Sequence, residues 1–174
     1  MATTQQDVLA ITAISPDQDV VSAEIFIAAP PARVFQAVTD PAQIPRWWGH
    51  HDHCRIQQSE VDLRVGGKWS SRGVKFDGTP FHSGGEYLDI DPPRLLVQTW
   101  ICSSAPALHT VLRWELEPKS VHGLYPNGPH RAGTGTLVKI SHQGFAGDAA
   151  AASDHEEGWK RVLGWLRTFA EAQV

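Results

Sequence analysis

The sequence contains few cysteines and no long apolar run. Its 174 residues include only two cysteines, Cys54 and Cys102. Two are too few for a disulfide framework, so we expect reduced thiols packed as small hydrophobic side chains. No apolar run approaches the roughly 20 residues that a membrane span requires. The N-terminal residues also lack the basic start and apolar centre of a signal peptide. These absences predict a cytoplasmic protein without a membrane span.

An excess of positive charge is also missing. The chain has 15 lysines and arginines against 19 acidic residues, for a formal net charge of -4. Binding to nucleic acid requires clustered basic side chains that neutralise phosphates, and the basic residues here are scattered. Nucleic acid is therefore excluded as an expected partner.

Several sequence motifs of catalysis are absent as well. The chain has no G-x-S-x-G nucleophile elbow, no P-loop and no G-x-G-x-x-G that follows a strand. Nucleophilic, nucleotide-dependent and hydride-transfer chemistry are therefore unsupported, and no cofactor or metal is predicted. Acid–base chemistry on a bound cyclic compound stays open, with His142 or Glu86 as the titratable group.

Tryptophan, by contrast, is abundant, with seven copies in a chain of single-domain length. Residues 1–18 are polar and predict a flexible N-terminal lead-in, and residues 19–174 predict one domain. Val21, Ala23, Ile25 and Ile27 alternate with less apolar residues, as in a half-buried strand. Two short helices follow, the second capped by Asp40 and running toward Trp47 and Trp48.

Residues 53–143 contain repeated apolar stretches separated by turn residues such as Gly66-Gly67 and Asn127-Gly128. They predict a meander of antiparallel strands, with residues 118–134 as a long exposed loop. A C-terminal amphipathic helix is predicted by one apolar stripe, made of Trp159, Val162, Leu163, Leu166, Phe169 and Ala170. The fold class is therefore α+β: a curved antiparallel sheet of six to seven strands wrapped round this helix, with a cavity between them.

Strand alternation selects the candidate lining of that cavity. Leu112 shares a face with Trp114, and Ile140 shares one with His142, whereas Glu86 is placed with Leu88 and Ile90, opposite Tyr87. For Trp47 and Trp48, adjacent on a helix, we expect one to fill the core and the other to line the pocket mouth. The candidate ligand-pocket residues are Trp47, Trp48, Trp69, Phe76, Glu86, Trp100, His109, Leu112, Trp114, Ile140, His142, Trp159 and Leu163. Core packing is the competing interpretation for each aromatic side chain, and a structural role is the competing one for each histidine.

A second cluster, His50, His51, His53 and Cys54, has residue types that bind zinc. Structural zinc sites usually take a ligand pair from each of two segments, and no second pair is present here. We interpret the stretch as a polar turn, with Cys54 starting the next strand.

Five motifs in order resemble the START-like, helix-grip (SRPBCC) superfamily, in the branch of homologues of the heat shock protein 90 ATPase activator. They are IAAPPARVFQAVTDPAQIPRWWG at 27–49, DLRVGGKW at 62–69, GGEYLDIDPPRLLVQTW at 84–100, GTGTLVKISHQGF at 133–145 and HEEGWKRVLGWLRTF at 155–169. The resemblance covers about residues 20 to 172 and implies the helix-grip fold. It does not imply one activity, since this fold hosts cyclases, hydrolases, lipid carriers and chaperone partners.

The expected function is binding of a small hydrophobic or aromatic molecule between the curved sheet and the C-terminal helix. One alternative is a chaperone-associated interaction module, because eukaryotic members of the resembling family stimulate a chaperone ATPase with the help of a separate N-terminal domain. The other is a cyclase-like enzyme. A monomer and a homodimer are both compatible with the sequence.

Overall fold

The computed structural model describes residues 10–120 and 134–172, and they form one large antiparallel sheet with three helices. Chain order is β1, β2, α1, α2, β3 to β9, then α3, and the strand order across the sheet is β1-β2-β9-β8-β7-β6-β5-β4-β3. The strands are β1 Ile11–Ile14, β2 Val20–Ile27, β3 Gly49–His50, β4 Cys54–Val61, β5 Lys68–Lys75, β6 Pro80–Asp91, β7 Leu95–Cys102, β8 Ala105–Ser120 and β9 Thr134–Gln143. The helices are α1 Pro31–Thr39, α2 Ile44–Trp47 and α3 Ala149–Glu171.

The α+β helix-grip prediction is confirmed, with two corrections. The sheet has nine strands rather than six to seven, because β1 and the two-residue β3 add a strand at each edge. Strand β1 lies inside the predicted flexible lead-in, whose residues 11–14 pair with Val21–Glu24 of β2. The lead-in prediction is therefore wrong for these four residues, which are mostly apolar and pair with β2 as an edge strand.

The predicted alternation of the long strands is confirmed by burial. Leu112, Trp114 and Leu116 of β8 are buried, as are Val138 and Ile140 of the neighbouring β9. The predicted long loop at 118–134 lies mostly outside the described residues, and β8 continues to Ser120 before that gap.

A β-bulge in β6 overturns one prediction that rested on strict alternation. Register shifts between Tyr87, which pairs with Gln98, and Asp89, which pairs with Val97. Leu88 is the extra residue, and such an insertion exchanges the two faces of the strand beyond it. Tyr87, before the bulge, is buried, whereas Glu86 and Leu88 point to the outer face. Beyond the bulge Ile90 packs against the core, so Glu86 and Ile90 do not share a face.

The paired glycines Gly66 and Gly67 make a tight turn between β4 and β5. Gly66 has a φ of +79°, which favours glycine, and a Cβ at Gly67 would collide with the carbonyl of Asp62. The turn carries Trp69 back over the core, where it is buried.

Helix α3 packs across the concave apolar face. Asp148 caps it by accepting a hydrogen bond from the Ala151 N–H, 3.0 Å away. Its buried side chains include Trp159, Leu163 and Leu166, as the apolar stripe predicted. Within residues 10–120 and 134–172, no helix has the length and hydropathy needed to cross a bilayer.

Candidate functional site

A cluster of indole rings lies where α2 and the first half of α3 meet strands β5 to β8. The Trp48 ring stacks on Trp100 with centroids 5.7 Å apart, and Trp69 lies 4.7 Å from the same Trp100 ring. Trp159 of α3 contacts both Trp48, at 6.3 Å, and Trp114, at 5.4 Å. Trp48 and Trp100 are only half-buried, so the centre of this cluster faces an open space.

Inside the cluster is a small, partly open cavity of about 70 Å³, which we call the inner cavity. Its apolar wall includes Trp48, Trp69, Trp100 and Trp114. Its polar side chains are Ser71, Ser83, Tyr87 and Gln98, all of which are buried.

Two further clefts, both more open to solvent, share Trp100 as a wall with this inner cavity. The larger, which we call the outer groove, measures about 430 Å³ and is lined mainly by the turn after β5 and the start of β8. It shares Phe81, Trp100 and Cys102 with the inner cavity. The smaller cleft, of about 200 Å³, runs along α3 beside Trp48, Trp100 and Trp159.

Trp47 and Trp48 have different environments. Trp47 is buried, and its indole N–H donates to the Ala37 carbonyl at 2.9 Å, which ties α2 to α1. Trp48 is half-buried and lines the inner cavity. The structure thus places one indole in the core and the other at the site.

His142 is enclosed in a chain of hydrogen bonds. The Trp159 Nε1–H donates to His142 Nδ1 at 3.3 Å, since an indole nitrogen can only donate. The other ring nitrogen, Nε2, lies 2.7 Å from Thr110 Oγ1, which in turn donates to the Trp100 carbonyl at 3.1 Å. Nε2–H is therefore the donor to Thr110, and the ring is neutral.

The surroundings of His142 keep it neutral. Burial, and secondarily the neighbouring His155, lower the pKa of His142 to about 3. With both ring nitrogens paired, the imidazole orients Trp159 and strand β8 and has no free position for a substrate proton. This arrangement does not fit the acid–base role considered for His142.

His155, on the first half of α3, has a freer ring. Its Nδ1–H donates to the Ala151 carbonyl at 2.8 Å, so Nε2 is the ring nitrogen left for a further hydrogen bond. The side chain lines both the outer groove and the smaller cleft. It can accept a hydrogen bond from a molecule bound there.

The structure brings most of the predicted pocket residues together, but three lie apart. Phe76 is 73% exposed and contributes only to the outer groove. Glu86 lies on the outer face in an ion pair with Lys68, and His109 is exposed on the side of β8 opposite Thr110. Predicted residues that lie in the core or line the inner cavity are Trp47, Trp48, Trp69, Trp100, Leu112, Trp114, Ile140, His142, Trp159 and Leu163.

Sequence reasoning missed the polar residues of the inner cavity, among them Tyr87 and Gln98, and it also missed His155. The bulge at Leu88 concealed Tyr87, because strict alternation placed it on the outer face. Gln98 lies opposite Tyr87 in the register of β6 and β7, a pairing that a single strand does not reveal. His155 precedes the apolar stripe of α3 by one turn and carried no sequence signal.

The histidine stretch after α2 separates into two parts. His50, His51 and Asp52 are exposed, and one potential ligand atom from each lies within 4.8 Å of the others. His53 and Cys54 instead line the outer groove. Burial raises the pKa of the Cys54 thiol, which disfavours the thiolate that a zinc ligand requires.

The family described as Activator of Hsp90 ATPase homolog 1-like protein has a model that matches residues 28–124, more than half of the chain. No curated protein shows a significant match to the sequence.

Solved structures of low sequence identity share the fold. A Chromobacterium violaceum protein is 22% identical, with a TM-score of 0.65, over 88% of this chain and 98% of its own. A Rhodobacter sphaeroides protein is 18% identical, with a TM-score of 0.70, over 94% and 99%. An AHSA1-like protein from Aeromonas hydrophila is 20% identical, with a TM-score of 0.62, over 87% and 93%.

Proposed function

The chain belongs to the Activator of Hsp90 ATPase homolog 1-like family, and we propose that it binds a small, largely apolar or aromatic molecule between its curved sheet and helix α3. The observation that carries this proposal is the half-buried Trp48–Trp100 stack, which lines the inner cavity and the smaller cleft. Large aromatic faces left partly open to a concave space are typical of a binding site for apolar ligands.

The size of the outer groove supports the same proposal. Its volume of about 430 Å³ lies within the roughly 300 to 1,000 Å³ of small-molecule sites. Phe76, Phe81 and Leu108 supply apolar wall, and His53 and His155 supply polar groups at the rim. A ring system stacked on Trp100 would extend from this groove toward the inner cavity.

Blocking the groove with a large side chain tests the proposal. Ala105 lines the groove at the start of β8, whereas Ala107 is exposed on the same strand and does not line it. We expect N-phenyl-1-naphthylamine, an uncharged fluorescent probe, to bind the wild type saturably. Ala105→Trp should weaken that binding about tenfold or more, as expected when an occupied pocket is filled, and Ala107→Trp should leave it unchanged.

Two results would overturn the proposal: no saturable binding to the wild type, or equal weakening in the two variants. Native mass spectrometry of the purified protein provides an independent measurement. We expect an apolar molecule that stays bound in the folded protein and is released on unfolding.

A second candidate function is stimulation of a chaperone ATPase, which the description of the family supports. The exposed Leu63 and Val65, in the turn between β4 and β5, supply apolar surface for a protein contact. Hsp90 ATPase rates should then rise when the chain is added, and a Leu63→Ser/Val65→Ser double variant should remove the increase. Unchanged rates with the wild type would exclude this candidate.

A further inference from the structure

We infer that the inner cavity holds the uncharged, hydrogen-bonding end of the ligand, a hydroxyl or carbonyl group, through Tyr87, Gln98 and Ser83. This inference rests on the proposed binding function and adds the chemical class of the ligand. The ligand would have an apolar ring body in the outer groove and one neutral polar end in the inner cavity.

Three buried polar side chains without partners support this inference. Tyr87 and Ser83 are each 2% exposed and Gln98 is 6% exposed, and all three line the inner cavity. Among the residues that the structure describes, none of these three side chains makes a hydrogen bond to protein, whereas the fourth polar residue, Ser71, bonds to Ser59. Their polar atoms are open to the cavity, since the described side-chain atoms that are both enclosed and unpaired belong to Arg33. Polar groups inside proteins are nearly always paired with protein or with water, so these three side chains offer hydrogen bonds to a polar group that enters the cavity.

The positions of the three residues let them act on one group. Tyr87 and Gln98 are directly opposite each other on the neighbouring strands β6 and β7. Ser83 lies four positions before Tyr87 on β6, which places it on the same face of the strand. The three side chains therefore converge on the cavity from one patch of the sheet.

The chemistry of the walls selects an uncharged group. Over residues 10–120 and 134–172, no charged side chain lines the inner cavity, and its remaining wall is mostly aromatic and aliphatic. A carboxylate or ammonium placed there would lose its hydration without an opposite charge in return. Burial also raises the pKa of Tyr87, so its hydroxyl stays a donor. The glutamine amide and the serine hydroxyl can each donate or accept.

The volume of the cavity limits what enters it. About 70 Å³ is room for about two water-sized groups, since one water occupies about 30 Å³ in the liquid. An aromatic ring does not fit, whereas a hydroxyl or carbonyl does. The ring body then remains in the outer groove, which shares Phe81, Trp100 and Cys102 as a common wall.

Naphthalene and two derivatives close to it in size, 2-naphthol and 2-naphthoate, test the inference by isothermal titration calorimetry. We expect 2-naphthol to bind the wild type about tenfold more tightly than naphthalene, as two neutral hydrogen bonds would give. The anion 2-naphthoate should bind more weakly than 2-naphthol. Tyr87→Phe and Gln98→Leu should each bring the ratio of naphthol affinity to naphthalene affinity closer to one. The exposed Gln36 on α1 provides a matched control, and Gln36→Leu should retain the full preference.

The outcomes separate this inference from the proposed function. If naphthalene binds but naphthol binds no better, the three side chains serve ordered water only, and the inference is overturned while the binding function stands. Tight binding of naphthoate, or a naphthol preference that survives both variants, overturns it in the same way. If neither naphthalene nor naphthol binds, both the function and the inference fail. Thermal unfolding of Tyr87→Phe and of Gln98→Leu shows whether each variant is folded. Because the two substitutions are independent, either variant alone can test the inference if the other is misfolded.

Discussion

The buried, neutral His142 predicts that acid destabilises this protein by a calculable amount. The ring is 1% exposed, and its pKa of about 3 lies below the roughly 6.5 of an unfolded histidine. A depressed histidine pKa means that the unfolded chain binds a proton before the folded one does. Stability attributable to this group is therefore lost as pH falls from about 6.5 toward about 3, because protonation favours the unfolded state.

The two pKa values set the size of the effect. Between pH 7 and pH 4.5, the free energy of unfolding should fall by about 2.5 kcal/mol through His142 alone, at about 1.4 kcal/mol for each pH unit once the unfolded histidine is protonated. A fall of that size is a substantial part of the stability of a typical domain. Other titrating groups also change the free energy of unfolding with pH. The contribution of His142 is therefore the difference in this pH dependence between the wild type and a variant that lacks the imidazole.

Urea unfolding at several pH values between 7 and 4.5 measures that difference. His142→Gln should show a pH dependence shallower than that of the wild type by about 2.5 kcal/mol over the range. His109→Gln, which removes an exposed histidine, should follow the wild type. Parallel curves for the wild type and His142→Gln would refute the reasoning. Should that variant be too unstable, NMR titration of the wild type gives the same answer, since the His142 ring signals should not move between pH 7.5 and pH 4.5.

Two further predictions concern α3 and its packing. Leu163→Ala removes a side chain with 0% exposure and should lower the free energy of unfolding by about 2 to 5 kcal/mol. Leu63→Ala, at a position 41% exposed, should change that free energy by less than about 0.5 kcal/mol. Equal effects of the two substitutions in urea unfolding would contradict the packing described. Asp148→Ala should lower the free energy of unfolding by about 1 kcal/mol through loss of the helix cap. Asp148→Asn should retain most of that stability, since asparagine caps equally well. Equal losses for the two variants in thermal unfolding would mean that the cap does not stabilise α3.

The candidate site was predictable wherever side-chain periodicity was regular. Leu112, Trp114, Ile140 and His142 lie on uninterrupted strands, and their alternation correctly placed them on the inner face. Prediction was wrong for Glu86 because the register shift beside it changes which residues face inward. A bulge depends on the pairing of two strands, so a pattern along one strand does not reveal it.

The amino-acid sequence by itself determined the order of the longer strands and of the helices, and the apolar faces that drive them together. Periods of two and of 3.6 residues depend only on local backbone geometry, which is why the α3 stripe and the β8 and β9 faces were visible in advance. Only the tertiary structure decided which polar groups find partners. His142 and Trp159 satisfy each other across the sheet and α3, whereas Tyr87 and Gln98 meet at the inner cavity. Hydrogen-bond pairing between distant segments depends on distances and directions set by the whole fold.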